Sequence, residues 1–168
     1  MKPLYVLIIA FFVTLFARKK SAGQFDFHHA GRVSMSIMLV FTAVGHFAFP
    51  AGMAMMLPEV IPFKSEIIFL TGLLEFAAAF TLFIPSKRIA VGWLLIAFFI
   101  MVLPANIYAA LRQVDYQSAS FNGPGINYLW VRIPLQILFI AWVYFYVVYP
   151  ERILKVNGSE RRRKKIVI

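Results

Sequence analysis

The run IIFLTGLLEFAAAFTLFI, from Ile67 to Ile84, is apolar almost without interruption, yet Glu75 stands at its centre. A hydrocarbon core needs about 17–25 mostly apolar residues per spanning helix, so this stretch has the length of a membrane span. A carboxyl group at its middle is costly unless it faces a bundle interior or a cavity where it can pair. Gly72, Glu75 and Ala79 recur at helical spacing, so two small residues share the face of Glu75 and admit a neighbouring helix. One stretch thus predicts a membrane helix, its buried face and a polar site on that face.

Working outward, apolar runs at Pro3–Ala17, Val33–Phe49, Ile89–Leu111 and Tyr128–Tyr149 join Glu66–Ile84 to give five predicted spans. The last four each hold a strongly polar side chain: His46, Glu75, Asn106, and Arg132 with Gln136. Apolar residues make up 61% of the chain and aromatics 17%. That composition lies outside the soluble globular range, and five spans in 168 residues leave no room for a soluble domain. The expected class is all-α, a polytopic membrane helical bundle. It comprises an N-terminal transmembrane helix within 1–20, a four-helix bundle over 33–149 and a basic cytoplasmic tail over 150–168.

The net charge of +10 would suggest nucleic acid in a soluble chain. Here the basic residues sit at the ends of apolar runs and in the tail, so they read as topology signals and no nucleic-acid partner is expected. Alternate connections hold thirteen Lys and Arg on one side against three on the other, with Arg132 inside a span. The positive-inside rule then places the N-terminus outside and the C-terminus in the cytoplasm, in the cytoplasmic membrane if the source is bacterial. The first run is short, but Arg18-Lys19-Lys20 follows it and only Lys2 precedes it, the wrong charge order for a cleaved signal. A four-span alternative, with that run lying in the interface, leaves the orientation of the rest unchanged.

The connection 50–65 is apolar but broken by Pro50, Pro58 and Pro62, so it is expected to lie on the outer membrane face. The connection 112–127, with Gly123-Pro124-Gly125, reads as a polar, bent loop. Cysteine is absent, which excludes thiolate metal sites and dithiol relays within the chain. Asp26, His28 and His29 read as solvated loop residues, so no metal site is expected. Asn157-Gly158-Ser159 matches a glycosylation acceptor, but its cytoplasmic placement argues against use. Phosphate-cradling glycine loops, HExxH and nucleophile elbows are missing.

By a rise of about 1.5 Å per residue, His46 and Gln136 fall about 20 Å above the cytoplasmic ends of their spans, Asn106 and Arg132 about 25 Å, and Glu75 about 14 Å. Met35, Met38, Thr42, Gly45, His46 and Phe49 form one stripe, and Tyr128, Arg132, Gln136, Phe139 and Val143 another. The polar groups therefore lie on faces able to meet. His46 titrates near neutral pH when unperturbed, and Arg132 keeps its charge and needs an acceptor, water or the interface. Against a site stand plainer roles: helix glue for His46, Glu75 and Gln136, snorkelling for Arg132, and repair of a Pro104 kink for Asn106. Glu66, nine residues before Glu75, is expected on the opposite face as a solvated first-turn carboxylate.

The motifs Gly45-His46-Phe47, Met56-Leu57-Pro58, Gly72-Leu73-Leu74-Glu75-Phe76, Pro104-Ala105-Asn106-Ile107 and Arg132-Ile133-Pro134-Leu135-Gln136 occur in that order. Together they resemble the DoxX-like family of small membrane proteins over about residues 33–149. The resemblance implies a four-helix membrane core, here with an extra N-terminal helix, and a link to membrane redox or assembly partners. The leading expectation is a pocket lined by His46, Glu75, Asn106, Arg132 and Gln136 that binds a lipophilic, quinone-like molecule, without catalysis by this chain alone. The rivals are an acid–base enzyme acting on a sterol-like or isoprenoid lipid through His46 or Glu75, and a structural scaffold in the lipid bilayer. A monomeric transporter is disfavoured by the lack of inverted repeats, while a homodimer stays open.

Overall fold

The computed structural model describes residues 2–153. The basic tail beyond 153 and the Asn157-Gly158-Ser159 acceptor lie outside the described residues. Those residues form α1 (Lys2–Ala22), α2 (Phe27–Ala48), the short α3 (Pro50–Ala54), α4 (Lys64–Thr81), α5 (Arg88–Leu111) and α6 (Leu129–Val143). There are no strands among them beyond an isolated bridge between Asp115 and Ser120. Three helical stretches, Phe27–Ala48, Pro85–Leu111 and Gly125–Ile153, are long and apolar enough to cross a membrane. The other two long helices carry more charge: Lys64, Glu66 and Glu75 in α4, and Lys2 with Arg18-Lys19-Lys20 in α1.

Two helices outrun their apolar cores. The α1 helix continues through Arg18-Lys19-Lys20 to Ala22, because long basic side chains are good helix formers and their heads reach past the apolar turns. The α2 helix begins at Phe27, six residues before the predicted span, since Asp26 caps it by accepting from the His29 N–H at 2.9 Å. His28 and His29 therefore stand in its first turn, not in a solvated loop.

The long helices alternate in direction. One end of the bundle gathers Arg18, Lys19, Lys20, Arg32, Lys87 and Arg88, and is called the basic end. The other, the loop end, carries α3 and the connection 112–127. At the basic end the core is apolar: Met35, Met38 and Leu39 of α2 meet Leu82, Leu95, Phe139 and Val143. Past α6 the helix widens into a π turn over Tyr144–Val148. That turn sends both Val147 and Val148 inward, each fully buried. Gly92 receives Val148, whose Cγ2 would lie 2.6 Å from an added Cβ, and Gly31 lies directly under the Tyr146 ring.

Outward faces are as apolar as the core. Leu94, Met101 and Trp130 are 68%, 75% and 80% exposed. Such continuous apolar surface is foreign to a monomer in water and ordinary against lipid. Since lipid tails match leucine in polarity, close packing and hydrogen bonds hold the helices together. Ser36 Oγ donates to the Ala79 carbonyl at 2.8 Å, and Trp142 Nε1 to the Gly31 carbonyl at 3.1 Å. Arg88 meets Glu151 at 2.7 Å.

The loop end is capped by its two connections packing together. Gly52 of α3 lies against the Tyr116 backbone carbonyl, and Phe49 stacks edge-on to Tyr116 at 6.1 Å. Arg112 reaches Glu59 at 3.2 Å on the surface. Glu66 is exposed in the first turn of α4.

Candidate functional site

The polar residues lie on the loop-end side of the apolar core, and they meet in pairs. On α4, Ile68, Gly72, Glu75 and Ala79 form the buried face. Gly72 seats the His46 side chain: an added Cβ there would come within 2.8 Å of His46 Cβ. This close approach brings His46 Nδ1 to 3.5 Å from Glu75 Oε2, although axial rise alone separates the two residues by about 6 Å in depth.

His46 Nδ1 also lies 3.0 Å from the Thr42 carbonyl. A carbonyl only accepts, so Nδ1 carries the proton and donates it to Thr42, which leaves Nε2 with the lone pair when the ring is neutral. Glu75 Oε2 is consequently enclosed without a hydrogen-bond partner. The carboxyl adjoins the Thr42 hydroxyl and lies within electrostatic reach of Arg132.

The second pair joins α5 to α6. Asn106, 2% exposed, accepts from Arg132 Nε at 3.1 Å through its Oδ1. Its Nδ2 donates to the Val102 carbonyl at 3.0 Å. The plainer role of Asn106 is thereby corrected. The carbonyl that Pro104 deprives of its helical N–H is that of Ile100, and the Asn106 amide goes to Val102. The half-buried Arg132 turns its Nε to Asn106.

Gln136, one turn beyond Arg132, is buried and donates through Nε2 to the Phe99 carbonyl. This ties α6 to the α5 backbone near Pro104, so Gln136 is engaged with the main chain while the other four form side-chain pairs. Thr42 and Gly72 belong to the site as its support, and Ser36 locks α2 to α4 one side of it. Their common signal in the sequence is position: Thr42 lies one turn before His46, and Gly72 one turn before Glu75.

The family model described as Domain of unknown function (DUF8561) matches residues 35–147. The chain belongs to this family. The DUF8561 segment holds all five polar residues, together with Thr42 and Gly72, and leaves α1 outside. No curated protein and no solved structure matches the chain.

Proposed function

We propose that this DUF8561 protein is a five-span membrane protein of the DoxX-like type, oriented N-out and C-in, that binds a lipophilic small molecule at its paired polar residues. The alternation of basic connections supports the orientation, and the order of motifs supports the DoxX-like reading. Glu75 carries the ligand reading. Its Oε2 is buried and unpartnered, a feature that destabilises a bundle by about 1–3 kcal/mol and that a ligand's donor would relieve. A scaffold with every polar group satisfied by a neighbouring helix would leave no such atom. The quinol form of a quinone-like ring fits this demand, having an apolar body with hydroxyl donors at its edge, and a membrane redox or assembly partner would then supply or consume it.

The test is mass spectrometry of quinones and other lipids that co-purify with the wild type, Glu75→Gln and Glu75→Ala. Loss of one hydrogen bond to the ligand predicts about tenfold lower retention in Glu75→Ala, with Glu75→Gln between, since its amide fills the same space. Equal retention by all three at unchanged thermal stability would sink the proposal.

A second reading, acid–base chemistry on an isoprenoid or sterol-like lipid, draws on one observation. His46 and Glu75 stand 3.5 Å apart, within reach of a single substrate atom.

A further inference from the structure

A second feature lies at the opposite end of the bundle from the paired polar residues. Where α1 turns into α2, a cavity of about 310 Å³ opens between Arg18, Gln24, Phe25, Asp26 and His28, at the lower end of the size range of small-molecule sites. Arg18 Nε is buried on this wall with no hydrogen-bond acceptor. A guanidinium N–H left in that state asks for an anion, and its planar fork suits phosphate.

The surroundings agree in charge. Lys19, Lys20 and Arg32 lie on the same two helix ends. The carboxylate that lines the cavity, Asp26, is already engaged, with Oδ1 accepting from the His29 N–H at 2.9 Å and Oδ2 lying 3.5 Å from Arg18 Nη2. Burial tends to raise the Asp26 pKa, but the His29 N–H and Arg18 more than offset this, so the carboxyl stays below its ordinary value and ionised. Asp26 offsets one cation and Glu151 pairs with Arg88, and among the described residues Lys19, Lys20, Arg32 and Lys87 still leave this end cationic.

An apolar track leads away from the cavity. Phe12 and Phe16 of α1 and Phe25 of the α1–α2 connection follow one another at ring separations of 6.5 and 6.2 Å, and all three are exposed. Lys19 Nζ lies 4.5 Å over the Phe25 ring, marking where the apolar track gives way to charge. A cationic cavity at the head of a lipid-facing aromatic ladder is complementary to a molecule with a phosphate at one end and hydrocarbon at the other.

The geometry points to a site for one anionic phospholipid at the basic end of the α1–α2 hairpin, its phosphate held by Arg18 and its acyl chains laid along Phe16 and Phe12. Phosphate alone lacks the second half of this match. The site is independent of Glu75 and survives failure of the reading above.

Native mass spectrometry of the full chain, delipidated in detergent and titrated with phosphatidylglycerol or phosphatidylcholine, tests it. The wild type is expected to bind one phosphatidylglycerol at least tenfold more tightly than phosphatidylcholine. Arg18→Gln removes a charge-assisted contact and should weaken phosphatidylglycerol about tenfold. Arg18→Lys, which keeps the charge and lacks the fork, should fall between. Lys87→Gln, at the same end but away from the cavity, should bind as the wild type does. Equal weakening by Lys87→Gln and Arg18→Gln would overturn the site in favour of diffuse attraction. Competition by inorganic phosphate at concentrations matching the lipid would overturn the assignment to a lipid. Exposed ion pairs contribute little to stability, so loss of the Arg18–Asp26 pair leaves the fold intact, and a matching melting temperature for Arg18→Gln checks this.

Discussion

At the basic end, α2, α5 and α6 present Leu39, Leu95, Phe139 and Val143 to one another, and glycines let Val148 and Tyr146 close in. About one to three turns toward the loop end, the same helices present Thr42 and His46, Asn106, and Arg132 with Gln136. Lipid offers no hydrophobic drive between helices, so the first region depends mainly on shape, with the Ser36–Ala79 and Trp142–Gly31 hydrogen bonds and the Arg88–Glu151 ion pair around it. The second depends on hydrogen bonds and charge, and one of its oxygens is left unpaired. A region held by shape can be complete without a ligand. A region with an enclosed, unpartnered carboxyl oxygen is not complete in the same sense, and the ligand reading proposed for Glu75 rests on this contrast.

The largest effect that could break the contrast belongs to the apolar region. Leu39 is fully buried, so Leu39→Ala leaves a void and should lower the unfolding free energy by about 2–5 kcal/mol. Leu73, half exposed on the outward side of α4, loses only lipid contact. Leu73→Ala should therefore change stability by less than about 0.5 kcal/mol. Unfolding by SDS titration in mixed micelles compares them directly. If the two variants fell together, the basic-end core would not be the packed body described above.

The polar region answers to a different experiment. Asn106→Leu leaves the Arg132 guanidinium without its amide acceptor, which should cost about 1–3 kcal/mol. Adding Arg132→Met removes the stranded charge and should restore part of that loss, because a matched apolar pair replaces a broken polar one. The same SDS titration closes the double-mutant cycle. Strict additivity of the two substitutions would mean that the 3.1 Å contact carries no coupling.

These two regions also differ in how far they were legible beforehand. The buried faces followed from spacing: Gly72, Glu75 and Ala79 were expected on one face of α4, and all three are buried. Which groups would touch was not legible. It depends on how neighbouring helices rotate and how closely they approach, and no single run records either. His46 was placed above Glu75 in depth, yet the glycine at 72 lets its ring descend onto α4. Asn106 was read through its proline neighbour, but the nearer influence was an arginine on another helix. The start of α2 was missed because apolar content defined the span, whereas Asp26 begins the helix with a capping hydrogen bond six residues earlier.

The smallest expected effect tests whether the basic end owes anything to its charges. Asp26 caps α2, and its folded-state pKa is below the ordinary value of 3.8 because the His29 N–H and Arg18 outweigh the opposing effect of burial. A carboxyl depressed on folding adds stability that is fully present above its unfolded pKa of about 3.9 and is lost as pH falls through the folded value. Removing the cap with Asp26→Ala should cost about 0.5–1 kcal/mol at pH 6, at the modest end because the side chain is 41% exposed and screened. The gap between the wild type and the variant should narrow as pH drops from 5 to 3, as protonation weakens the cap of the wild type. Equilibrium unfolding of both proteins across that range decides the point. A gap that stays constant would mean that the Asp26 charge adds nothing to the cap.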